Sequence, residues 1–216
     1  MTDVPIVDVS GRLPSLDPRK QAVSVSICGV GGQGVVLAGV VLGQAAIDAG
    51  MWAAQSAAYT VAARGGFARS EVILAGQAQA CPLAEDVDVI VALAEQGWSG
   101  DRQRLRPGGV AICDEGIGDA SAVDGLYLAV PLQQIAAAAG QPRSVNLVAV
   151  GLLGGLFDLV PMDLALAAAD QHLGHRPGNA IALQAGYAAG IALRSQAGGH
   201  DLREHSNQAK YKEATT

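Results

Sequence analysis

The sequence predicts an α/β fold, a three-layer α/β/α sandwich around a mostly parallel sheet, with a mainly helical C-terminal part. Three observations carry this. Short runs of Val and Ile alternate with segments of helical period, the order expected of βαβ units. A glycine-rich turn joins the first such run to the first helix. The 216 residues are half hydrophobic, only 16% charged and contain 28 glycines, which suits close helix-to-sheet packing and close approach to a partner. Such a chain has the size of one domain and is too apolar for disorder.

Residues 1–21 are polar and contain three of the prolines, and they read as an N-terminal arm before a domain over 22–194. VSVSICGV, ending at Val30, reads as a buried strand. Gly34 to Ala49 carries apolar residues at helical spacing, and Gly50 suits its C-terminal cap. Trp52–Tyr59 and Phe67–Leu74 read as strands, with Gly76–Asp86 irregular. Val87–Leu93 reads as a buried strand, followed by a helix near Glu95–Leu105. Pro107-Gly108-Gly109 reads as a turn before a strand at Val110–Cys113, and Tyr127–Val130 as one more strand. Helices are expected over Leu132–Ala139, Val145–Leu156, Met162–His172 and Pro177–Leu193, and 195–216 reads as a polar C-terminal tail.

Several chemistries are disfavoured. A net charge of −6 gives no basic surface for a phosphate backbone, so no nucleic acid is expected. The longest apolar stretch, Val145–Val160, is interrupted by Gly151, Gly154, Gly155 and Asp158, so no membrane span is expected. Cys28, Cys81 and Cys113 are too scattered for an iron–sulfur or zinc site and read as small packed hydrophobes. Their odd number and the lack of a leader-like start predict a reducing, cytoplasmic location. The four histidines have no acidic partners at ligand spacing, so no metal site is predicted. No catalytic constellation stands out; Asp114-Glu115 reads as the start of a solvated loop, and Arg69 and Glu71, on one strand face, as a pair.

Gly29-Val30-Gly31-Gly32-Gln33-Gly34 follows a predicted strand and opens a predicted helix, the context a phosphate-facing G-x-G-x-x-G loop requires. An acidic residue at the end of the second strand, which would bind the ribose of a nicotinamide dinucleotide, is missing there. A second motif, Arg64-Gly65-Gly66, places a guanidinium beside two flexible residues, as an anion clamp or as an ordinary surface turn.

These motifs carry a family resemblance. GVGGQGVVLAGVVLGQAA, QSAAYTVAARGGFARSEVIL, VDVIVAL, LRPGGVAICD and VNLVAVG, in this order over about residues 23–190, resemble the gamma subunit of 2-oxoacid:ferredoxin oxidoreductases. The resemblance implies a chain that is not catalytic alone. It implies partners: alpha and beta subunits holding thiamine diphosphate, a ferredoxin-like subunit with [4Fe-4S] clusters, and a flavin subunit with FAD where electrons pass to NAD. It implies coenzyme A as co-substrate, Gly29, Gly31, Gly32, Gln33 and Gly34 as an anion-facing loop, and Arg64, Gly65 and Gly66 as a second loop at the same site. Asn146 and Asn179 match recurrent helix-start asparagines and read as caps. The family's Ser-Tyr-Gly-x-Glu-x-Arg-Gly-Gly loop is altered: Thr60 stands for the Gly and Ala62 for the Glu. A less charged site implies a bulkier 2-oxoacid, such as an arylglyoxylate. The alternative from a different class is a stand-alone nucleotide-binding module or regulator built on the glycine loop.

Overall fold

The structure, a computed structural model, describes residues 13–60, 66–81 and 83–213, with side chains described up to 197. Its strands are β1 (Val23–Val30), β2 (Trp52–Tyr59), β3 (Phe67–Ala75), β4 (Val87–Ala92), β5 (Leu105–Asp114) and β6 (Gly125–Val130). Its helices are α1 (Val35–Asp48), α2 (Glu95–Asp101), α3 (Leu132–Ala138), α4 (Val145–Phe157), α5 (Met162–Leu173) and α6 (Pro177–Glu213).

All six strands form one sheet in the order β2-β3-β1-β4-β5-β6. The joins β1–β4, β4–β5 and β5–β6 are parallel. β3 alone runs against the rest, pairing antiparallel with β1 and with β2. The sheet is therefore mostly parallel, as expected, with one reversed strand inside it. The cause is the link between β2 and β3: only residues 60–66 separate them, too few for the crossover that a parallel pair requires.

The strands alternate their side chains between two unequal layers. Val25 and Ile27 of β1, Val89 and Val91 of β4, and Val110 and Ile112 of β5 join one large core with α1, α4, α5 and α6. On the opposite face Cys28, Ile90, Ala92, Ala111 and Cys113 form a smaller cluster closed by Trp98 of α2. Leu16 also sits in the large core, so the segment before β1 is packed from at least that residue, although residues 1–12 lie outside the described ones.

Three local readings differ. Pro107–Gly109 lies inside β5, not before it: Val87 pairs with Leu105 but Val89 with Val110, so the strand bulges there, and Gly108 has φ +73. The helix near Glu95 ends at Asp101 in a 3₁₀ turn, Arg102–Arg104. α6 does not stop at Leu193 but continues to Glu213. The polar stretch beyond Leu193 lacks an apolar stripe, yet its Gln, Ala, Lys, Arg and Glu residues are good helix formers.

The thin face carries a buried charge network. Asp101 accepts from the hydroxyl of Ser26 and pairs with Arg69 at 2.7 Å and Arg104 at 3.4 Å. Glu71 pairs with Arg104 at 2.5 Å and accepts from the Ala84 amide at 3.0 Å. Arg69 and Glu71 thus do not pair with each other, contrary to the strand-face reading, because each meets a better-placed charge on α2 or on the following turn. Burial works against the Arg104 charge, but Glu71 and Asp101 together hold its pKa above the ordinary value.

Candidate functional site

β1 and β4 are parallel neighbours, yet their following helices leave to opposite faces, α1 over the large core and α2 over the thin one. Diverging connections open a crevice at the carboxyl ends of the strands, where α/β sheets bind ligands. The glycine loop occupies this position.

Its residues divide into two sets. Gly31 and Gly32 are exposed, and Gly32 and Gly34 have φ of +94 and +71, conformations that L side chains rarely adopt. α1 begins without a side-chain cap on Gly34 and without an acidic residue in its first turn. The first-turn amides of a helix have no intrahelical partner, so this end presents unsatisfied donors and a partial positive charge. The other set is structural. The Gln33 side chain accepts from the Val30 amide at 2.8 Å and donates to the Leu93 carbonyl at 2.9 Å, tying β1 to the end of β4. Both of its polar atoms are engaged by the protein, which leaves them facing the strands and not the anion-facing side expected for Gln33. Gly29 is buried within β1, where a Cβ would collide with that Gln33 side chain.

The second motif is brought to the first. The Gly31 amide donates to the Gly66 carbonyl at 2.9 Å, and the Thr60 amide donates to the Phe67 carbonyl at 2.9 Å, closing the base of the connection. Arg64 and Gly65 lie outside the described residues, as does Ala62. Asn146, in the first turn of α4, completes the site's support: its side-chain amide donates to the Gly34 carbonyl at 3.2 Å. Asn146 therefore does not cap its own helix; it fixes the Gly34 peptide from across the fold. Asn179 likewise donates to the Gly174 carbonyl, at 3.0 Å, and holds the turn between α5 and α6, far in sequence from the glycine loop. The signal that could have separated them is context: Asn146 is a polar residue in a helix buried along its whole length, and a buried amide requires a partner.

The dinucleotide alternative meets a geometric obstacle. The strand beside β1 on this side is the reversed β3, so the end of β2, where a ribose-binding acid would sit, is displaced by one strand. Among the described residues, the remaining titratable groups do not assemble a reactive centre. Cys28 and Cys113 are buried, whereas Cys81 is exposed, unlike the packed role expected of all three, because it lies in the irregular segment after β3. Burial pushes the Cys113 thiol up to about 12 and the Cys28 thiol well above the usual range, so neither is a thiolate near neutral pH. Burial also raises Tyr127 to about 12, and its hydroxyl donates to the Ile117 carbonyl. Asp114 is buried and accepts from the Gln133 amide at 3.2 Å in the first turn of α3, a cap rather than a solvated residue. His175 bonds Asp170 at 2.6 Å on the surface. Among the described residues no three His, Cys, Asp or Glu side chains are grouped to hold a metal ion, and no helix is long and apolar enough to cross a membrane.

Comparison with known proteins places this geometry. The family described as pyruvate ferredoxin/flavodoxin oxidoreductase matches residues 24–189. The chain is similar to the 2-oxoglutarate synthase subunit KorC of Methanocaldococcus jannaschii, 32% identical over 146 residues that cover 65% of this chain and 78% of that protein. It is similar to the ketoisovalerate oxidoreductase subunit VorA of Methanothermobacter marburgensis, 32% identical over 144 residues; the match covers 66% of this chain but only 30% of VorA. Among solved structures, the gamma subunit of a keto/oxoacid ferredoxin oxidoreductase from Geobacter sulfurreducens superposes with a TM-score of 0.65 at 27% identity, over 79% of this chain and 97% of that one.

Proposed function

We propose a function from one premise: this chain belongs to the pyruvate ferredoxin/flavodoxin oxidoreductase family. It serves as the gamma subunit of a 2-oxoacid:ferredoxin oxidoreductase complex. Within that complex it binds the phosphates of coenzyme A and closes the site where an acyl group is handed over. Thiamine diphosphate and iron–sulfur clusters, held by other subunits, would supply decarboxylation and electron transfer, and a flavin subunit would redirect the electrons to NAD. The resemblance to gamma subunits supports a chain that acts only in assembly.

The observation that carries the coenzyme A reading is the bond from the Gly31 amide to the Gly66 carbonyl. It joins the two motifs at the crevice, beside the uncapped start of α1. A phosphate there meets donors from the first turn of α1, and Arg64 adds a full charge to a doubly anionic group. Gln33 and Asn146 keep the loop in this form before the ligand arrives, which lowers the ordering cost of binding.

Gly31→Ala tests it. The added methyl would touch nothing nearer than the Gly66 carbonyl at 3.9 Å, and Gly31 is not in the left-handed region, so the fold tolerates it. Its only large effect is to hold a phosphate off the backbone. In the complex isolated without oxygen, Gly31→Ala and Arg64→Ala are each expected to raise the KM for coenzyme A about 10- to 100-fold, the equivalent of one charge-assisted hydrogen bond. An unchanged KM in both variants overturns the reading.

The substrate follows from Thr60 and Ala62, which replace the family's Gly and Glu. A site that has lost a carboxylate favours a less polar 2-oxoacid, and the proposed substrate is an arylglyoxylate. Turnover by the complex across pyruvate, 2-oxoglutarate, branched 2-oxoacids and phenylglyoxylate should favour the last. A clear preference for 2-oxoglutarate would exclude this assignment.

A further inference from the structure

β2 ends the sheet on one side, and among the described residues its free edge lacks the usual protection. Edge strands in soluble proteins are blunted by Lys, Pro, a bulge or a covering element. WAAQSAAY contains no charge and no proline, and it pairs with β3 in unbroken register from Trp52 to Tyr59. The amide of Thr60 points at β3, so the odd-numbered residues of β2 point away from it. The N–H and C=O groups of Ala53, Gln55, Ala57 and Tyr59 therefore face outward along the edge.

α1 lies over β2 and β3 and continues this open border. Val36, Val40 and Ile47 follow at helical spacing and form a stripe on its outer side, with the buried Gly43 beneath them against Val72 of β3. Val36 is 38% and Ile47 50% exposed. Between stripe and strand runs a shallow groove of about 160 Å³, lined by Val40, Gly43, Ile47, Ala53 and Gln55.

We infer that this border is the contact between two copies of the chain, joined through antiparallel β2–β2 pairing. A two-fold axis normal to the sheet near Gln55 and Ser56 brings the outward-facing amides of one copy onto those of the other. The same rotation keeps both α1 helices on one face and lays their apolar stripes side by side. Charge selects this occupant. An isologous contact sets each group near its own twin, and any charge there meets its own sign. β2 has none and α1 has only Asp48, at its far end and bonded to Gln44, on a chain of net charge −6. A basic partner, the kind an acidic subunit would select, finds no anion along β2 and only Asp48 at the far end of the stripe. The alanines flanking Gln55 and Ser56 let the two backbones approach without obstruction. The dimensions suffice: 8 strand residues span about 27 Å, and with the helix layer above they present about 500 Å² per copy, or about 1,000 Å² in total, the size at which specific interfaces begin.

The full chain, weighed by native mass spectrometry and sedimentation, is expected at twice 21.8 kDa. Ala57→Lys should halve that mass while the chain keeps a cooperative unfolding transition, its midpoint no longer rising with protein concentration as that of the dimer does, since the Ala57 side chain is exposed and its amide is not bonded to β3. In a Cys81→Ser background, which removes the exposed thiol, Ser56→Cys should cross-link two copies of this chain through a short bis-maleimide, alone and in the assembled complex. A wild-type mass of 21.8 kDa, or a cross-link that joins this chain to a different subunit, overturns the inference. Neither readout depends on coenzyme A, so its failure is separable from failure of the proposed function.

Discussion

Asp101→Ala is expected to destabilise the protein by about 3 kcal/mol, at the lower end of the range for breaking a buried ion pair. Asp101 is fully buried at the last turn of α2 and serves three groups at once: the Ser26 hydroxyl, Arg69 and Arg104. Removing the carboxylate leaves the Ser26 hydroxyl unpaired between sheet and helix, and strips Arg69 of its only described counter-charge. Arg104 keeps Glu71, and both arginines retain some solvent access, which places the cost at the lower end. For a domain of this size the thermal midpoint should fall by about 6–12 °C. Asp101→Asn should recover part of the loss, because it restores an acceptor for Ser26 but not the charge. Denaturant unfolding of the three proteins checks this; a loss under about 1 kcal/mol for Asp101→Ala would mean that solvent screens the network.

The network also shows what a linear reading holds and what it leaves out. β1, β4 and the strand part of β5 are visible as Val- and Ile-rich runs because a strand covered on both faces is mostly apolar, and its buried exceptions, Ser24, Ser26 and Asp88, are bonded within the fold. α1 is visible because its period is local. The reversal of β3 is not visible in its own residues; it follows from the short link to β2, and only when pairing is considered. Partners are less legible still. Arg69 and Glu71 sit two residues apart on one face, yet their charges are met by Asp101 and Arg104, more than thirty residues on. At the site the motif locates the loop but does not divide its labour. Gln33 fits an anion-binding string and instead bridges Val30 and Leu93. Asn146 reads as a local cap and instead reaches Gly34, 112 residues away. Local period encodes which face is buried; it does not encode which buried polar atom finds which partner.

The glycines of α4 give the second large effect, and neighbouring positions should respond with opposite sign. α4 and α6 cross with their backbones in contact. A Cβ on Gly151 would strike the Leu183 carbonyl group and the Tyr187 amide, and one on Gly155 the Tyr187 carbonyl group and the Ile191 amide. From the other helix, a Cβ on Gly186 would strike the Val148 carbonyl and one on Gly190 the Leu152 carbonyl. The glycine content thus serves helix-to-helix approach here, beyond the helix-to-sheet packing that composition suggests. None of these obstacles is a side chain that can rotate away, so the helices must separate. Gly186→Ala and Gly155→Ala should each cost about 2 kcal/mol net, overpacking partly offset by the better helix propensity of alanine. Gly154 differs: its Cβ would lie 3.4 Å from the Tyr187 ring and 3.4 Å from the Val160 carbonyl, ordinary contact distances. Gly154→Ala should therefore be neutral or stabilising by up to about 1 kcal/mol. The consequence reaches the site. Val148 lies two residues beyond Asn146, so prising α6 from α4 at Gly186 shifts the amide that holds the Gly34 carbonyl. Gly186→Ala should thus weaken coenzyme A use in the complex as well as stability, whereas Gly154→Ala should alter neither for the worse. Thermal midpoints and coenzyme A KM values for this pair decide it, and equal behaviour of the two variants would refute the close-packed seam.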